Sequence, residues 1–268
     1  MKISISGVRG IYGQDLNLHE VNKFAGQFAG FIKSSKCVIA RDTRPSGAII
    51  AQTVTASLMA VGIDVYNLGI APTPAAFTEA RKYGAGVIVT ASHNPLEWNG
   101  LKFIIDGRGL FEHELEEMVS MTSEHRGKFG NEFKVYSSYV DTVAEMTQSN
   151  TASVKVGIDA AGGAACGYAE NLFKKLGYKY YSINGIAGIS SRGPDPTADD
   201  LTELRALVTA NKLDHGFGLD LDADRLVVVN SKGEKMSPDS TLLLCIARAL
   251  KIGLKRFVTS IDTSVAIE

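Results

Sequence analysis

Segments with the pattern of strands alternate with segments with the pattern of helices along the whole chain, and this alternation restricts the fold more than any other feature. Asn17 and Glu20 have the spacing of a helix capping box. Apolar residues then recur at helical intervals, at Val21, Phe24, Ala25, Phe28 and Ile32. A strand is predicted at 37–40 and a second helix over about 47–61. The alternation indicates an α/β fold with mixed, mostly parallel sheets covered by helices on both faces.

The length of 268 residues is enough for two compact domains. A polar stretch at 148–151, Gln-Ser-Asn-Thr, is the predicted domain boundary. We therefore expect two tandem three-layer α/β/α domains, at 1–150 and 151–254. Residues 255–268 resemble the first strand of a third domain. Because that strand would lack a partner for its apolar face, the chain is expected to be truncated there.

The composition excludes several classes of protein. Hydrophobic residues make up 45% and charged residues 21%, as in ordinary globular proteins, and the net charge of −1 does not favour binding of nucleic acid. The three cysteines, Cys37, Cys166 and Cys245, lack metal-ligand spacing and are predicted to be reduced. The pattern of the sequence predicts no leader peptide and no membrane span. A cytoplasmic location is expected.

A small hydroxyl group follows the apolar run at 86–89, which is predicted to be a buried strand. The run ends in Thr-Ala and is followed by Ser92, His93, Asn94 and Pro95, with a hairpin arm predicted at 101–105. A serine at the end of a strand is often only a turn or capping residue. The residues alone therefore leave two interpretations of Ser92, an ordinary strand exit or a reactive group.

Three aspartates, Asp220, Asp222 and Asp224, alternate with apolar residues at the end of a strand predicted at 216–221. On an extended chain alternate side chains point the same way, so we expect the three carboxylates to face one side. Their repulsion favours a hard divalent cation with oxygen ligands, of which Mg²⁺ is the commonest. An EF-hand is excluded because Arg225 and Ser231 stand where its glycine and glutamate are required.

A magnesium ion commonly completes its coordination with phosphate oxygens, which connects the aspartates with Ser92. A phosphoserine would bring close to two further negative charges, and basic side chains would then be needed near the site. Three such residues lie in or beside the motifs: Arg9, Lys102 and Arg225.

Two supporting segments are predicted to be structural. Arg41 and Arg44 flank Asp42 after the strand at 37–40, and indicate an ion-pair network at the strand end. Thr73 is predicted to cap a helix whose first position is Pro74.

Taken together, the motifs resemble those of the α-D-phosphohexomutases, which include phosphoglucomutase, phosphomannomutase and phosphoglucosamine mutase. The resemblance covers essentially the whole chain and rests on Ser6-Gly7-Val8-Arg9-Gly10, Thr90-Ala91-Ser92-His93-Asn94-Pro95, Asn99-Gly100-Leu101-Lys102 and Gly218-x-Asp220-x-Asp222-x-Asp224-Arg225. It implies an enzyme that moves a phosphate between C1 and C6 of a hexose, through a phosphoserine and a hexose bisphosphate, with Mg²⁺.

The resemblance also implies a role for each site residue. Ser92 would carry the phosphate, and Ser92, Asp220, Asp222 and Asp224 would hold the metal. Lys102 would be the general base and a substrate-binding residue. Arg9 would bind and stabilise the phosphoryl group, Arg225 would bind substrate, and His93 would orient the serine loop.

In the family a third domain contains the loop that recognises the sugar, and a fourth domain binds the phosphate that is not transferred. By this resemblance the chain is expected to stop before both domains. One alternative is therefore an incomplete fragment or silent homologue that binds phosphosugar and metal without turnover. A second is a phosphatase that uses the same metal site.

Overall fold

The computed structural model describes residues 1–125, 127–147, 153–259 and 263, which form two α/β units. The first contains eight strands: β1 Lys2–Ser4, β2 Gly7–Ile11, β3 Lys36–Arg41, β4 Asp64–Ile70, β5 Ala85–Val89, β6 Trp98–Ile105, β7 Arg108–Gly109 and β8 Glu132–Lys134. Its five helices are α1 Leu18–Phe31, α2 Gly47–Ala60, α3 Thr73–Tyr83, α4 Glu112–Ser120 and α5 Tyr139–Met146. The predicted boundary at 148–151 lies outside the described residues.

The second unit contains four strands, β9 Lys155–Asp159, β10 Lys179–Ile183, β11 His215–Leu219 and β12 Leu226–Asn230. Its helices are α6 Tyr168–Lys175, α7 Thr202–Ala210 and α8 Pro238–Lys251. Residues 254–259 carry neither helix nor strand, and 260–262 and 264–268 lie outside the described residues. The first strand of a third domain therefore stays a prediction.

Both sheets are mixed, with parallel strands at their centres. The first sheet has the order β1-β2-β6-β5-β3-β4-β8, with β7 beside β6, and its strands β5, β3, β4 and β8 are parallel. The second has the order β10-β9-β11-β12, and only the β11–β12 pair is antiparallel. This arrangement confirms the predicted α/β fold.

Alternate residues along the central strands enter separate cores, which shows that helices cover both faces of the first sheet. Cys37 and Ile39 pack with α1, α2 and α4, whereas Val38 and Ala40 pack with α3. The second sheet is likewise covered, by α7 on one face and α6 on the other. The side-chain period of two in a strand thus produces the predicted three layers in each unit.

A fully buried ion pair fastens the loop that follows β5. Arg44 Nε lies 3.0 Å from Asp42 Oδ2, and neither side chain is exposed to solvent. The Arg44 guanidinium also donates to four backbone carbonyls of the loop, those of Ser92, Asn94, Pro95 and Trp98. The interpretation of Arg44 and Asp42 as a structural pair agrees with these contacts.

We predict that Arg44→Met lowers the free energy of unfolding by about 3–5 kcal/mol, because Asp42 would remain buried without its counter-charge. Urea unfolding followed by circular dichroism measures the change. Arg108→Met is the control, since the ion pair between Arg108 and Glu114 lies at the surface and should contribute much less. Equal losses for the two variants would contradict the assigned role of Arg44.

Candidate active site

The candidate site lies where the carboxyl ends of the two sheets face each other. In the first unit Asp42, Thr73 and Ser92 follow β3, β4 and β5, and in the second Asp220 follows β11. The carboxyl edge of parallel strands is the usual place for ligand sites in open α/β sheets. Side chains far apart in the sequence therefore meet at one seam.

Ser92 is held by its neighbours in a conformation that is uncommon for a serine. Its φ is +54°, in the left-handed region, and only 3% of the residue is exposed. Its backbone N–H donates to Thr90 Oγ1 at 2.8 Å, and that hydroxyl donates to Asp42 Oδ2 at 2.6 Å. Together with Arg44, these bonds hold the backbone against the strain.

The Ser92 side chain points across the seam to the second unit. Its Oγ donates to Asp220 Oδ2 at 2.8 Å and lies 3.3 Å from His93 Nδ1. The other oxygen of Asp220, Oδ1, accepts the backbone N–H groups of Asp224 and Arg225 at 3.1 Å each. One carboxylate thus holds the turn of its own unit and contacts the hydroxyl of the other.

The three aspartates converge, but through a turn instead of an extended strand. β11 ends at Leu219, and Ala223 has a φ of +55° and donates its N–H to the Asp220 carbonyl at 3.2 Å. The expectation that alternation on an extended chain brings the carboxylates together was therefore wrong in its geometry. The turn achieves the convergence, because one oxygen from each carboxylate lies within 4.8 Å of those of the others.

Lys102 on β6 supplies a positive charge to this cluster. Its Nζ donates to Asp222 Oδ2 and Asp224 Oδ2, each at 2.8 Å, and 12% of its side chain is exposed. Burial favours the neutral amine, but the two carboxylates outweigh burial and raise the pKa of Lys102. Lys102 is therefore an ammonium ion in this arrangement.

Burial and mutual repulsion oppose full ionisation of the three carboxyl groups, and a cation would favour it. Burial, followed by repulsion from Asp222 and Asp224, raises the pKa of Asp220. Burial also opposes ionisation of Asp222, but the charge of Lys102 and the side-chain hydrogen bonds with Lys102, Asp220 and Thr73 together outweigh burial and lower the pKa of that carboxyl. Asp222 Oδ1 is buried and has no hydrogen-bond partner among the described residues. A buried charged oxygen without a partner, beside two further carboxylates, fits a hard divalent cation with oxygen ligands.

The remaining predicted residues surround the same point. Arg9 on β2 pairs with Gly100 on β6 and makes no ion pair with any residue that the structure describes. Arg225 Nη1 lies 3.9 Å from Asp195 Oδ2. Burial, followed by the charge of Arg225, lowers the pKa of His93, so the neutral imidazole is favoured beside Ser92. His93 thus adjoins Ser92, Arg225 bonds through its backbone to Asp220, and the charge of Arg9 also acts on His93.

The sequence analysis did not predict two contacts that help to build the site, one made by Thr73 and one by Arg44. The helix predicted to begin at Pro74 begins one residue earlier, at Thr73, and the Thr73 hydroxyl bonds to Asp222 instead of capping its own helix. Arg44 was assigned to structure, but its hold on the Ser92 carbonyl was not foreseen. Arg44 and Ser92 are 48 residues apart, so no local signal indicated their contact, and none indicated the partner of Thr73.

Comparisons with known proteins agree with the α/β fold of the two units. Residues 1–126 match the sequence profile of phosphoglucomutase/phosphomannomutase alpha/beta/alpha domain I, and residues 136–233 match that of domain II. The chain is similar to a phosphoglucosamine/phosphogalactosamine mutase of Sulfurisphaera tokodaii, with 33% identity over 290 residues, 98% of this chain and 62% of the relative. A phosphoglucosamine mutase of Clostridioides difficile is 32% identical over 257 residues, 89% of this chain and 57% of the relative.

A solved structure shares the fold. It is a phosphoglucomutase/phosphomannomutase family protein of Burkholderia thailandensis, with a TM-score of 0.81 and 26% identity over 94% of this chain and 60% of the other. The chain thus spans about three fifths of the length of the relatives that it matches. None of the helices in the described part of the chain combines the length and apolar character needed to cross a bilayer. Since two successive domain profiles together match most of its length, the chain belongs to the phosphoglucomutase/phosphomannomutase family.

Proposed function

We propose that the protein is a phosphohexomutase that moves a phosphate between C1 and C6 of a hexose through a phosphoserine at Ser92. One observation carries the proposal: the 2.8 Å contact between Ser92 Oγ and Asp220 Oδ2, which joins the serine to a cluster of three carboxylates. A serine hydroxyl beside carboxylates is a poor nucleophile, but a phosphoserine beside a cation is a phosphoryl donor. The domains proposed for this chemistry are 1–150, with the serine loop, and 151–254, with the metal loop.

Asp220, Asp222 and Asp224, with an oxygen of the Ser92 phosphate, would hold the ion, which we propose to be Mg²⁺. When bound, the ion supplies Lewis-acid stabilisation of the negative charge that spreads over the transferred group. The buried Asp222 Oδ1 without a partner supports this assignment. The donor set consists entirely of hard oxygen ligands, which suits magnesium.

Basic side chains would balance the rest of the charge. A phosphoserine and three aspartates carry about five negative charges, and a divalent ion with Lys102, Arg9 and Arg225 carries about five positive charges. We propose that Arg9, whose guanidinium has no acidic partner among the described residues, binds the phosphoryl group. Arg225 would bind the substrate beside it, and His93 would orient the Ser92 side chain as a neutral imidazole.

In the proposed reaction the sugar hydroxyl oxygen bonds to the phosphorus of phosphoserine 92, and the bond from phosphorus to Ser92 Oγ breaks. Because its carboxylate partners hold Lys102 as an ammonium ion, it must first release Asp222 and Asp224 and lose one proton to solvent before it can act as a base. The hydroxyl proton then passes to the neutral Lys102 amine, and the leaving Ser92 Oγ takes up a proton from solvent, so the net products are a hexose bisphosphate and a Ser92 hydroxyl. The other phosphate then returns to Ser92 by the reverse steps.

The substrates would be a hexose phosphate and its bisphosphate. Two similar relatives are named as phosphoglucosamine mutases, so glucosamine 1,6-bisphosphate is the first donor to test. The chain spans about three fifths of the length of those relatives, and transfer to Ser92 is therefore a sharper test than complete turnover.

We predict that incubation with glucosamine 1,6-bisphosphate and Mg²⁺ adds one phosphoryl group to the protein, detected by intact-mass and peptide mass spectrometry at Ser92. Ser92→Ala should abolish the gain, because no acceptor hydroxyl remains beside Asp220. Ser57→Ala removes a hydroxyl that bonds to the Thr53 carbonyl on α2 and to Asn22 on α1, and should label like the wild type. Steady release of inorganic phosphate without a labelled serine would favour a phosphatase instead.

We predict that Asp222→Asn weakens Mg²⁺ binding, measured by isothermal titration calorimetry, by at least about tenfold, since even the partners of metal ligands contribute that much. Asn keeps the shape of the side chain but loses the charge and one acceptor oxygen. Asp214→Asn is the control, because Asp214 caps the amino end of β9 at Lys155 N, away from the three-aspartate turn. Unchanged affinity in Asp222→Asn would eliminate the aspartate cluster as the metal site.

A further inference from the structure

Thr73 belongs to the first unit, yet both of its hydrogen-bond donors bond to Asp222 of the second. Its backbone N–H donates to the Asp222 carbonyl at 2.8 Å, and its Oγ1 donates to Asp222 Oδ2 at 2.8 Å. Thr73 is only 6% exposed, and Asp222 is fully buried. The first turn of α3 therefore holds both the backbone and the carboxylate of one aspartate in the turn that follows β11.

These bonds give the two oxygens of the Asp222 carboxylate different surroundings. Oδ2 accepts from the Thr73 hydroxyl and from Lys102 Nζ, whereas Oδ1 is buried without a partner in the described part of the chain. A carboxylate turns broadly about its last side-chain bond, so its partners decide which oxygen faces which way.

Of the two side chains that donate to Asp222 Oδ2, Thr73 fixes the direction of its hydrogen bond more tightly than Lys102 does. The β-branched side chain of Thr73 is restricted at χ1, and its backbone is fixed at the start of a helix. The ammonium group of Lys102 is a compact charge on a flexible stem and can follow either oxygen.

We propose that Thr73 is a positioning residue that turns Asp222 so that Oδ1 is presented to the divalent cation. The inference rests on the proposed function, because it takes Asp222 as a ligand of the metal. Hydrogen bonds to ligating carboxylates orient them and are worth a substantial part of the metal affinity. Metal binding would then depend on the contact between the two units, since Asp222 belongs to the second unit and Thr73 to the first.

The test is a Mg²⁺ titration by isothermal calorimetry of the full 268-residue chain and its variants. Thr73→Val keeps the shape and the backbone bond but removes the hydroxyl, and should bind Mg²⁺ about 10–100-fold more weakly. Thr73→Ser restores the hydroxyl and should recover the wild-type affinity. Thr78→Val is the matched control, because among the described residues Thr78 Oγ1 on the same helix bonds only to the Pro74 carbonyl, at 2.9 Å.

Wild-type affinity in Thr73→Val, or equal weakening in Thr73→Ser, would overturn the inference while leaving the metal site intact. An absence of Mg²⁺ binding in the wild type would instead refute the metal part of the proposed function, and the inference with it. Circular dichroism and urea unfolding establish that each variant is folded during the titration, and Thr73→Ala replaces Thr73→Val if the valine variant does not fold. A purely structural role would lower the urea midpoint and leave the affinity of the folded protein unchanged.

Discussion

Mutual repulsion among three carboxylates is the constraint on which the arrangement of the site depends. Two unit charges 4 Å apart repel by about 1 kcal/mol in water and by about 4 kcal/mol at the effective dielectric constant of a protein surface. The ligand oxygens of Asp220, Asp222 and Asp224 lie within 4.8 Å of one another, and two of the three residues are buried. A typical hydrogen bond contributes about 1 kcal/mol, so hydrogen bonds from neutral groups do not offset this repulsion. Positive charge is required to keep all three groups ionised, and the protein provides part of it through Lys102.

The loop that contains Ser92 is held in a different way, because one buried cation, the Arg44 guanidinium, donates hydrogen bonds to many acceptors. The Arg44 guanidinium bonds to Asp42 and to four carbonyls of the loop, so every residue that it fixes lies within the first unit. This network defines the backbone of Ser92 before any partner from the second unit is considered. The proposed phosphoryl transfer would depend chiefly on positioning and charge, and a loop held in this way opposite an acidic turn would serve both.

The sequence predicted the elements that depend on local patterns and missed those that depend on distant contacts. The run at 86–89 is apolar because it is buried on both faces, and β5 is found there. The helix after Asn17 is found with the expected cap, in which Asn17 Oδ1 accepts from Glu20 N. The aspartate cluster was predicted from an extended chain, yet it is a turn with Ala223 in the left-handed region, which the alternation of residue types does not reveal. Thr73 and Asp222 are 149 residues apart, and no local pattern indicates that they meet.

The division of the site between two units has a thermodynamic consequence. The contact between Ser92 and Asp220 is a hydrogen bond while the serine carries a hydroxyl. If Ser92 carries a phosphoryl group, as proposed, that contact sets close to two negative charges against a carboxylate and the seam becomes repulsive. A divalent cation reverses the sign, because the phosphate and the aspartates then share one counter-charge. Phosphorylation of Ser92 and binding of the cation must therefore strengthen each other by the same factor, since coupling between two binding events is reciprocal. Because the serine loop and the acidic turn belong to separate units, this coupling would also stabilise the contact between the two units.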